Sequence, residues 1–181
     1  TVSGYHLYVY GGHTGETHEY SIEGVSGRFH RLHLREGSKW EELPSGPPLQ
    51  GAGLAAYDGW IYRAGGMTAR NKEGDPGDLY STDSVARFDP RTGKWEELTP
   101  LPEPRSSHEI VVQGHELYVA GGWTLAGESV EGKWLSTVWV ADLRQEKLTW
   151  RKLADTPFQR RAISAAATDG KRGVIGGLGP R

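Results

Sequence analysis

The chain has 181 residues, of which 24% are charged and 36% hydrophobic, and its formal net charge is -2 at pH 7. This balance offers no basic surface, so no nucleic-acid partner is expected. Without cysteine there are no disulfides, thiolate metal sites or cysteine nucleophiles. No apolar run is long enough for a membrane span, and seven Trp, eight Tyr and 26 Gly favour an all-β fold rich in tight turns.

The first predicted strands lie in the opening third of the chain. The start, TVSGYHLYVYGG, has neither an initiator Met nor a signal-peptide pattern. It is interpreted as the close of one strand, a turn, and a second strand over 5–12. Two more strands follow at about 28–35 and at 39–43. A start inside a strand favours a piece of a longer protein.

The same order of strands recurs along the rest of the chain. WIYRAGG and VARFDP carry bulky residues at alternate positions, as half-buried strands do. The clearest unit has four predicted strands, at 106–113, 116–122, 136–143 and 149–153. The chain then ends in two more, at 162–169 and 172–177. Four short strands separated by turns predict one meander sheet.

Three sets of markers keep a constant interval. Gly-Gly doublets begin at Gly11, Gly65, Gly121 and Gly176, spaced by 54, 56 and 55 residues. Tryptophans recur at Trp40, Trp95 and Trp150, and turn glycines at Gly4, Gly59, Gly114 and Gly170. The repeat therefore has about 55 residues. Its units run approximately over 5–59, 60–114 and 115–170, with the start of another at 171–181.

A Gly-Gly doublet closing an aromatic strand, followed by a Trp some 29 to 30 residues later, resembles the kelch repeat. The resemblance covers nearly the whole chain. It implies an all-β, kelch-type β-propeller with blades of four strands, labelled a (inner) to d (outer). The paired glycines permit positive φ and close approach to the next blade, and the Trp fills the space between sheets.

The number of repeats predicts an open arc of about three blades, whereas closed propellers take typically four to eight. Either the chain is a fragment of a ring of six or seven blades, which is the favoured interpretation, or two copies associate. An open arc leaves its terminal sheets without neighbours. Tyr8 and Tyr10 are therefore expected to be exposed, and the isolated chain is expected to dimerise or aggregate.

The connections between strands b and c are long in every unit. They span 13–28, 67–83 and 123–135, beyond the usual length of a hairpin loop. In kelch propellers these connections and the d–a connections open on one face, the family's usual ligand face. Long insertions at one point of every repeat predict a binding face there.

Basic residues occur in both kinds of connection. Alignment of the repeats by their turn glycines places Arg105 over Arg161 and over Gln50. One interpretation is a partly basic funnel able to grip a carboxylate or an acidic peptide. Its members are Arg70, Lys72, Arg105, Arg160 and Arg161. The alternative is structural, because an Arg at position 105 belongs to the kelch pattern and can bond loop carbonyls, whereas Arg160 is extra to it.

Polar and aromatic residues beside the arginines complete the candidate ligand set. Ser106 and His108 share one strand and lack an orienting acid, so they are interpreted as the polar lining of a channel rather than as a catalytic pair. Trp123 and Trp134 belong to one b–c connection. They predict either an exposed aromatic platform for sugar or peptide, or packing of that connection onto its own blade.

No metal or cofactor is expected. His30 and His33 fall on opposite faces of one strand, and His13 and His18 lack carboxylate support. The loop carboxylates Asp75, Asp78, Asp83, Glu128 and Glu131 could form an acid and base pair or hold a cation, but the favoured interpretation is that they are solvated. The pair Tyr5-His6 resembles copper ligands of galactose oxidase, another kelch-type propeller, but it lies on the wrong face and the required Cys is absent.

The favoured function is a non-catalytic module that holds a protein or carbohydrate ligand on the loop face. The alternative is a sugar-modifying enzyme similar to the bacterial sialic acid mutarotases, for which Arg105 and Arg161 would hold an anionic sugar. The style of repeats such as PLPEPRSSH resembles bacterial exported kelch proteins, which implies an exported or periplasmic location. Fold alone does not decide among these functions.

Overall fold

The computed structural model describes residues 1–16, 19–37, 39–127, 131–168, 171–175 and 177–179. The first sheet contains β1 (Val2–Ser3), β2 (His6–Tyr10), β3 (Phe29–His33) and β4 (Trp40–Leu43), paired antiparallel in chain order. Its first strand is the short end of an inner strand, as predicted. Four residues used in the sequence-based predictions, His18, Glu128, Gly170 and Gly176, lie outside the described residues.

The second and third sheets have the same four-stranded order. The second consists of β5 (Gly53–Tyr57), β6 (Trp60–Ala64), β9 (Val85–Asp89) and β10 (Lys94–Glu97), and the hairpin β7 (Met67–Ala69) and β8 (Leu79–Ser81) is inserted after β6. The third consists of β11 (Glu109–Gln113), β12 (Glu116–Ala120), β15 (Val138–Asp142) and β16 (Arg151–Lys152), with the inserted hairpin β13 (Trp123–Thr124) and β14 (Lys133–Trp134). A last pair, β17 (Ser164–Thr168) and β18 (Lys171–Ile175), begins a fourth blade.

The inner strands lie side by side in the order β1, β5, β11 and β17. Three four-stranded blades and one hairpin thus form an open arc, which confirms the predicted all-β propeller architecture. Within the described ranges the structure contains no helix long and apolar enough to span a membrane.

Each interface between blades has its own apolar core. Phe29 of the first blade meets Ile61 and Phe88 of the second, and all three are fully buried. The second and third blades enclose a larger cluster that includes Tyr62, Leu117 and other apolar residues. The second blade has a neighbouring blade on each side. Four consecutive residues of strand β6 are therefore buried, and buried and exposed residues do not alternate along it.

The repeated tryptophans fasten each blade to the one before it. The indole Nε1 of Trp95 donates to the carbonyl of Pro44 at 2.9 Å, and that of Trp150 donates to the carbonyl of Thr99 at 3.2 Å. The two tryptophan donors are one repeat apart in the sequence, and so are the two carbonyl acceptors. Trp40 occupies the same place in the first blade and is 45% exposed, because the described residues place no other blade on that side of it.

The expectation that Tyr8 and Tyr10 face outward is wrong. Tyr8 is 3% exposed in the core between the first two blades, and the hydroxyl of Tyr10 donates to the carbonyl of Pro47 at 2.5 Å. The open face instead carries Val9, 46% exposed, together with Trp40. Alternation along a strand identifies two faces but does not say which of them meets the following blade.

We expect the isolated chain to self-associate through this open face, because Val9 and Trp40 are exposed, whereas the equivalent Val119 is buried and the equivalent Trp95 and Trp150 are partly buried. Sedimentation velocity at increasing concentration should show species larger than a monomer. The variant Val9→Lys/Trp40→Glu should shift the distribution toward the monomer, whereas Ile22→Lys, at an exposed position of the first b–c connection, should not. A wild-type chain that stays monomeric at every concentration would contradict the expectation.

Candidate functional site

Each d–a connection pairs with the residue that follows a Gly-Gly doublet. Antiparallel bridges join Gln50 to Met67, Ser106 to Trp123 and Arg161 to Leu178. Two backbone hydrogen bonds form each bridge, with N···O distances of 2.8 and 2.9 Å, 2.9 and 3.1 Å, and 2.9 and 2.9 Å respectively. The two kinds of connection therefore belong to one hydrogen-bonded surface, which we call the loop face.

The backbone pairing corrects the alignment of the arginines. The carbonyls of Leu49, Arg105 and Arg160 accept from the amides of Gly12, Gly66 and Gly122 respectively. Arg105 is therefore equivalent to Arg160, and Arg161 follows the pattern position. The sequence alignment used turn glycines, but Gly114 directly follows strand β11, whereas Gly170 is two positions beyond the end of strand β17, so the glycines are offset by one residue.

Arg105 is fully buried and bonds the interior of its own blade. Its terminal nitrogens donate to the carbonyl of Gly121 at 3.1 Å, to the hydroxyl of Thr137 at 2.8 Å and to the carboxylate of Glu103 at 2.7 Å. Burial lowers the pKa of Arg105 to about 10, and Glu103 opposes the change. The predicted ligand role of Arg105 is incompatible with this burial, and the structural alternative describes its position.

Glu103 completes this network. Burial by itself raises the pKa of Glu103. Hydrogen bonds from Thr137 and Trp139, and the charge of Arg105, outweigh burial and hold the pKa of Glu103 below its ordinary value. The indole of Trp139 donates to Glu103 at 3.1 Å. A buried guanidinium with a carboxylate and loop carbonyls around it fixes the start of the inner strand.

Ser106 and His108 lie between blades rather than in an open channel. Ser106 is 1% exposed, and its hydroxyl is 2.9 Å from that of Ser81. Burial, and then the charge of Arg105, lower the pKa of His108 to about 3, so the ring is neutral in the folded protein at neutral pH. Neither side chain is accessible to a ligand on the loop face, which corrects their assignment as candidate ligand residues.

A row of left-handed residues links the d–a connections of successive blades. Gly51, Ser107 and Ala162 have φ of 64°, 51° and 51°. The amide of Ser107 donates to the carbonyl of Gly51 at 2.9 Å, and the amide of Ala162 donates to that of Ser107 at 2.7 Å. Ser107 and Ala162 adopt a conformation that side chains disfavour, and these inter-blade bonds hold them in it.

The b–c connections are ordered hairpins rather than free loops. In the second blade β7 pairs with β8, and in the third β13 pairs with β14. Neighbouring connections also pair with each other, since the amide of Ser81 donates to the carbonyl of Leu125 and that of Gly127 to the carbonyl of Leu79, both at 2.9 Å. The loop face is therefore a continuous β layer above the second and third blades.

Two arginines on this layer stack on aromatic rings. The guanidinium carbon of Arg70 lies 3.7 Å from the ring centre of Tyr80. That of Arg161 lies 3.9 Å from the ring of Trp123 and 5.3 Å from that of Trp134. Arg160 donates to the carbonyl of Gln159 at 2.9 Å, and its guanidinium carbon lies farther from a ring, 5.8 Å from the centre of Phe158.

Trp123 and Trp134 are cross-strand partners in the β13–β14 hairpin. Their ring centres are 5.9 Å apart, and both side chains are partly exposed. The arrangement has features of both alternatives, packing onto the blade and an exposed aromatic platform. The backbone of Trp123 is bonded to Ser106, and the partly exposed rings lie against the guanidinium of Arg161.

A cleft of about 700 Å³ lies between the first and second b–c connections. Asn71 joins its walls, donating to the carbonyl of Tyr20 at 2.7 Å. The described lining is acidic and includes Glu16, Glu19, Glu23, Glu73 and Asp75. Backbone hydrogen bonds, first from its own amide and also from Glu73, lower the pKa of Glu23. Sequence reasoning considered only Asp75 of these, because the carboxylates converge from two different repeats.

No group of three or more His, Asp or Glu side chains suited to a metal ion occurs in the part of the chain that the structure describes. The described loop carboxylates Asp78 and Asp83 are partly exposed.

Comparison with known proteins finds sequence similarity to kelch-repeat proteins. The Kelch motif model matches residues 104–157. Beta-scruin of Limulus polyphemus is 28% identical over 145 residues, which are 79% of this chain and 15% of that protein. Kelch-like protein 9 of Mus musculus is 33% identical over 100 residues, 54% of this chain and 15% of that protein.

A longer match extends over nearly the whole chain. Kelch-like protein 35 of Mus musculus is 24% identical over 172 residues, 95% of this chain and 25% of that protein. The chain thus spans a quarter or less of the length of these relatives.

Proposed function

This chain belongs to the kelch-repeat proteins, and from that premise we propose that it is a non-catalytic module that binds a protein partner on its loop face. The observation that carries the proposal is the β layer formed by the b–c connections. An antiparallel bridge joins Tyr80 to Ala126 through hydrogen bonds of the residues on either side of them. This bridge and those from the d–a connections hold the surface in one arrangement. A preorganised surface binds with a smaller loss of conformational entropy than free loops do.

The chemistry of the surface also supports a protein ligand. One part is the acidic cleft between the first two b–c connections, and another is the pair of stacked arginines, Arg70 and Arg161. Acidic and basic areas side by side favour a partner with complementary charges of both signs. Partly exposed aromatic residues and arginine are the types that contribute most to protein interfaces.

The sugar-enzyme alternative loses its main support. It relied on Arg105 and Arg161 together at the mouth of the channel, and Arg105 is buried in its own blade. The relatives reported above are animal proteins, and none supports the bacterial and exported assignment. A carbohydrate ligand is left without a specific observation that favours it over protein.

The absence of cysteine permits a direct test. Single cysteines are introduced at exposed positions, as Glu73→Cys and Lys133→Cys on the loop face and Lys147→Cys on the turn that joins β15 to β16, and each is coupled to a bulky polyethylene glycol maleimide. Peptides selected from a displayed random library against the unmodified chain serve as probes. Blocking either loop-face position should weaken binding at least about tenfold, whereas blocking position 147 should not. Peptides that are lost only on modification at position 147 would overturn the proposal.

A further inference from the structure

Arg161 presents a cation that the described part of the chain does not neutralise. Its Nε is buried without a hydrogen-bond acceptor, its side chain is partly exposed, and no hydrogen bond or ion pair joins its terminal nitrogens to a described residue. Several other arginines of this protein are paired with carboxylates: Arg31 pairs with Glu41 at 2.7 Å, Arg87 with Glu96 at 2.8 Å and Arg105 with Glu103 at 2.7 Å. Arg161 lies on the loop face and has no such carboxylate partner among the residues that the structure describes.

The backbone and two aromatic rings hold this cation in place. Arg161 exchanges two hydrogen bonds of 2.9 Å with Leu178, and the next residue donates to the carbonyl of Ser107. The guanidinium lies over Trp123 at 3.9 Å and within 5.3 Å of Trp134. Stacking orients the plane of the guanidinium and limits the side-chain entropy that a ligand contact would otherwise cost.

We propose that Arg161, Trp123 and Trp134, named here the Arg161 cluster, form the subsite for an aspartate or glutamate side chain of the partner. The inference rests on the proposed function and adds the chemistry of one contact. The two terminal nitrogens of a guanidinium match the two oxygens of a carboxylate. The neighbouring indoles lower the local polarity, which strengthens a charged hydrogen bond compared with one in open water.

The distribution of charge on the loop face indicates how the partner would be oriented. The acidic cleft lies between the first and second b–c connections, whereas the Arg161 cluster lies beside the third b–c connection. A carboxylate would be repelled at the first site and attracted at the second. An acidic segment is therefore expected at the third-blade end of the face.

The probe is a short fluorescein-labelled peptide of glutamate and serine, compared with its glutamine counterpart by fluorescence anisotropy at low salt. The full chain should bind the glutamate peptide, and Arg161→Gln should weaken that binding at least about tenfold. Arg161→Lys keeps the charge without the planar stack and should recover only part of the affinity. The matched control is Arg151→Gln, because Arg151 is exposed on the outer strand β16; it should bind as the wild type does.

The outcomes separate the two proposals. Equal binding by wild type and Arg161→Gln, or equal binding of the glutamate and glutamine peptides, would overturn the carboxylate subsite. The proposed function survives that result if library peptides still lose binding when the loop face is blocked. Circular dichroism and the unfolding midpoint of Arg161→Gln should match the wild type, so that lost binding reports on the subsite and not on folding.

Discussion

Replacing Arg105 by methionine is expected to lower the free energy of unfolding by about 3 to 5 kcal/mol, the loss typical of a broken buried ion pair. Methionine fills part of the volume but donates no hydrogen bond. The substitution leaves the carbonyl of Gly121 and the carboxylate of Glu103 without the donor they share. Denaturant unfolding at low protein concentration measures the change.

Two further variants separate charge from volume. Arg105→Met/Glu103→Gln should recover part of the loss, because the second change removes the unpaired carboxylate. Arg87→Met breaks an ion pair at the surface, since the side chains of Arg87 and Glu96 are 25% and 51% exposed, and should cost no more than about 1 kcal/mol. A loss at position 105 as small as that at position 87 would show that the buried network is not a major source of stability.

Replacing Gly65 by alanine is expected to be nearly as damaging, at about 3 kcal/mol or more. Gly65 has a φ of 62°, and an added Cβ would lie 2.5 Å from the carbonyl oxygen of Arg105. It would also lie 2.5 Å from the ring of His108. The carbonyl belongs to a hydrogen-bonded loop and cannot move away without breaking the connection to the next blade.

Gly59 provides the matched control for this prediction. It has a φ of 79° in the turn between β5 and β6, and nothing lies within 4 Å of an added Cβ. Gly59→Ala should therefore cost only the conformational penalty of a left-handed alanine, about 1 to 2 kcal/mol. The difference between the two variants measures the steric contribution of the blade contact, and equal losses would disprove that contribution.

The same contact explains why the Gly-Gly doublet could be recognised in the sequence. The first glycines of three doublets, Gly11, Gly65 and Gly121, all place an added Cβ against a carbonyl of the following d–a connection, at distances of 3.0 Å or less. A requirement imposed by every blade interface recurs in every repeat. For that reason it appears in the sequence as a periodic mark.

Features that belong to one blade only were harder to predict. Arg105 and Arg161 are both basic and stand in equivalent connections, yet one is buried and the other is partly exposed. Their alignment was shifted because Gly114 directly follows its inner strand, whereas Gly170 is two positions beyond the end of the last one. The acidic cleft was not predicted at all, because Glu16 and Glu73 belong to different repeats and meet only in the folded chain.

The sequence by itself determined the all-β fold, the strands of the repeats and the spacing of the blades. These follow from local requirements: positive φ at turn glycines, alternation along strands, and one Trp for each blade interface. Only the tertiary structure decided which face of a strand meets the next blade, which arginine reaches the surface and where carboxylates converge. Those outcomes depend on packing and pairing between segments some 55 residues apart, which no local pattern encodes.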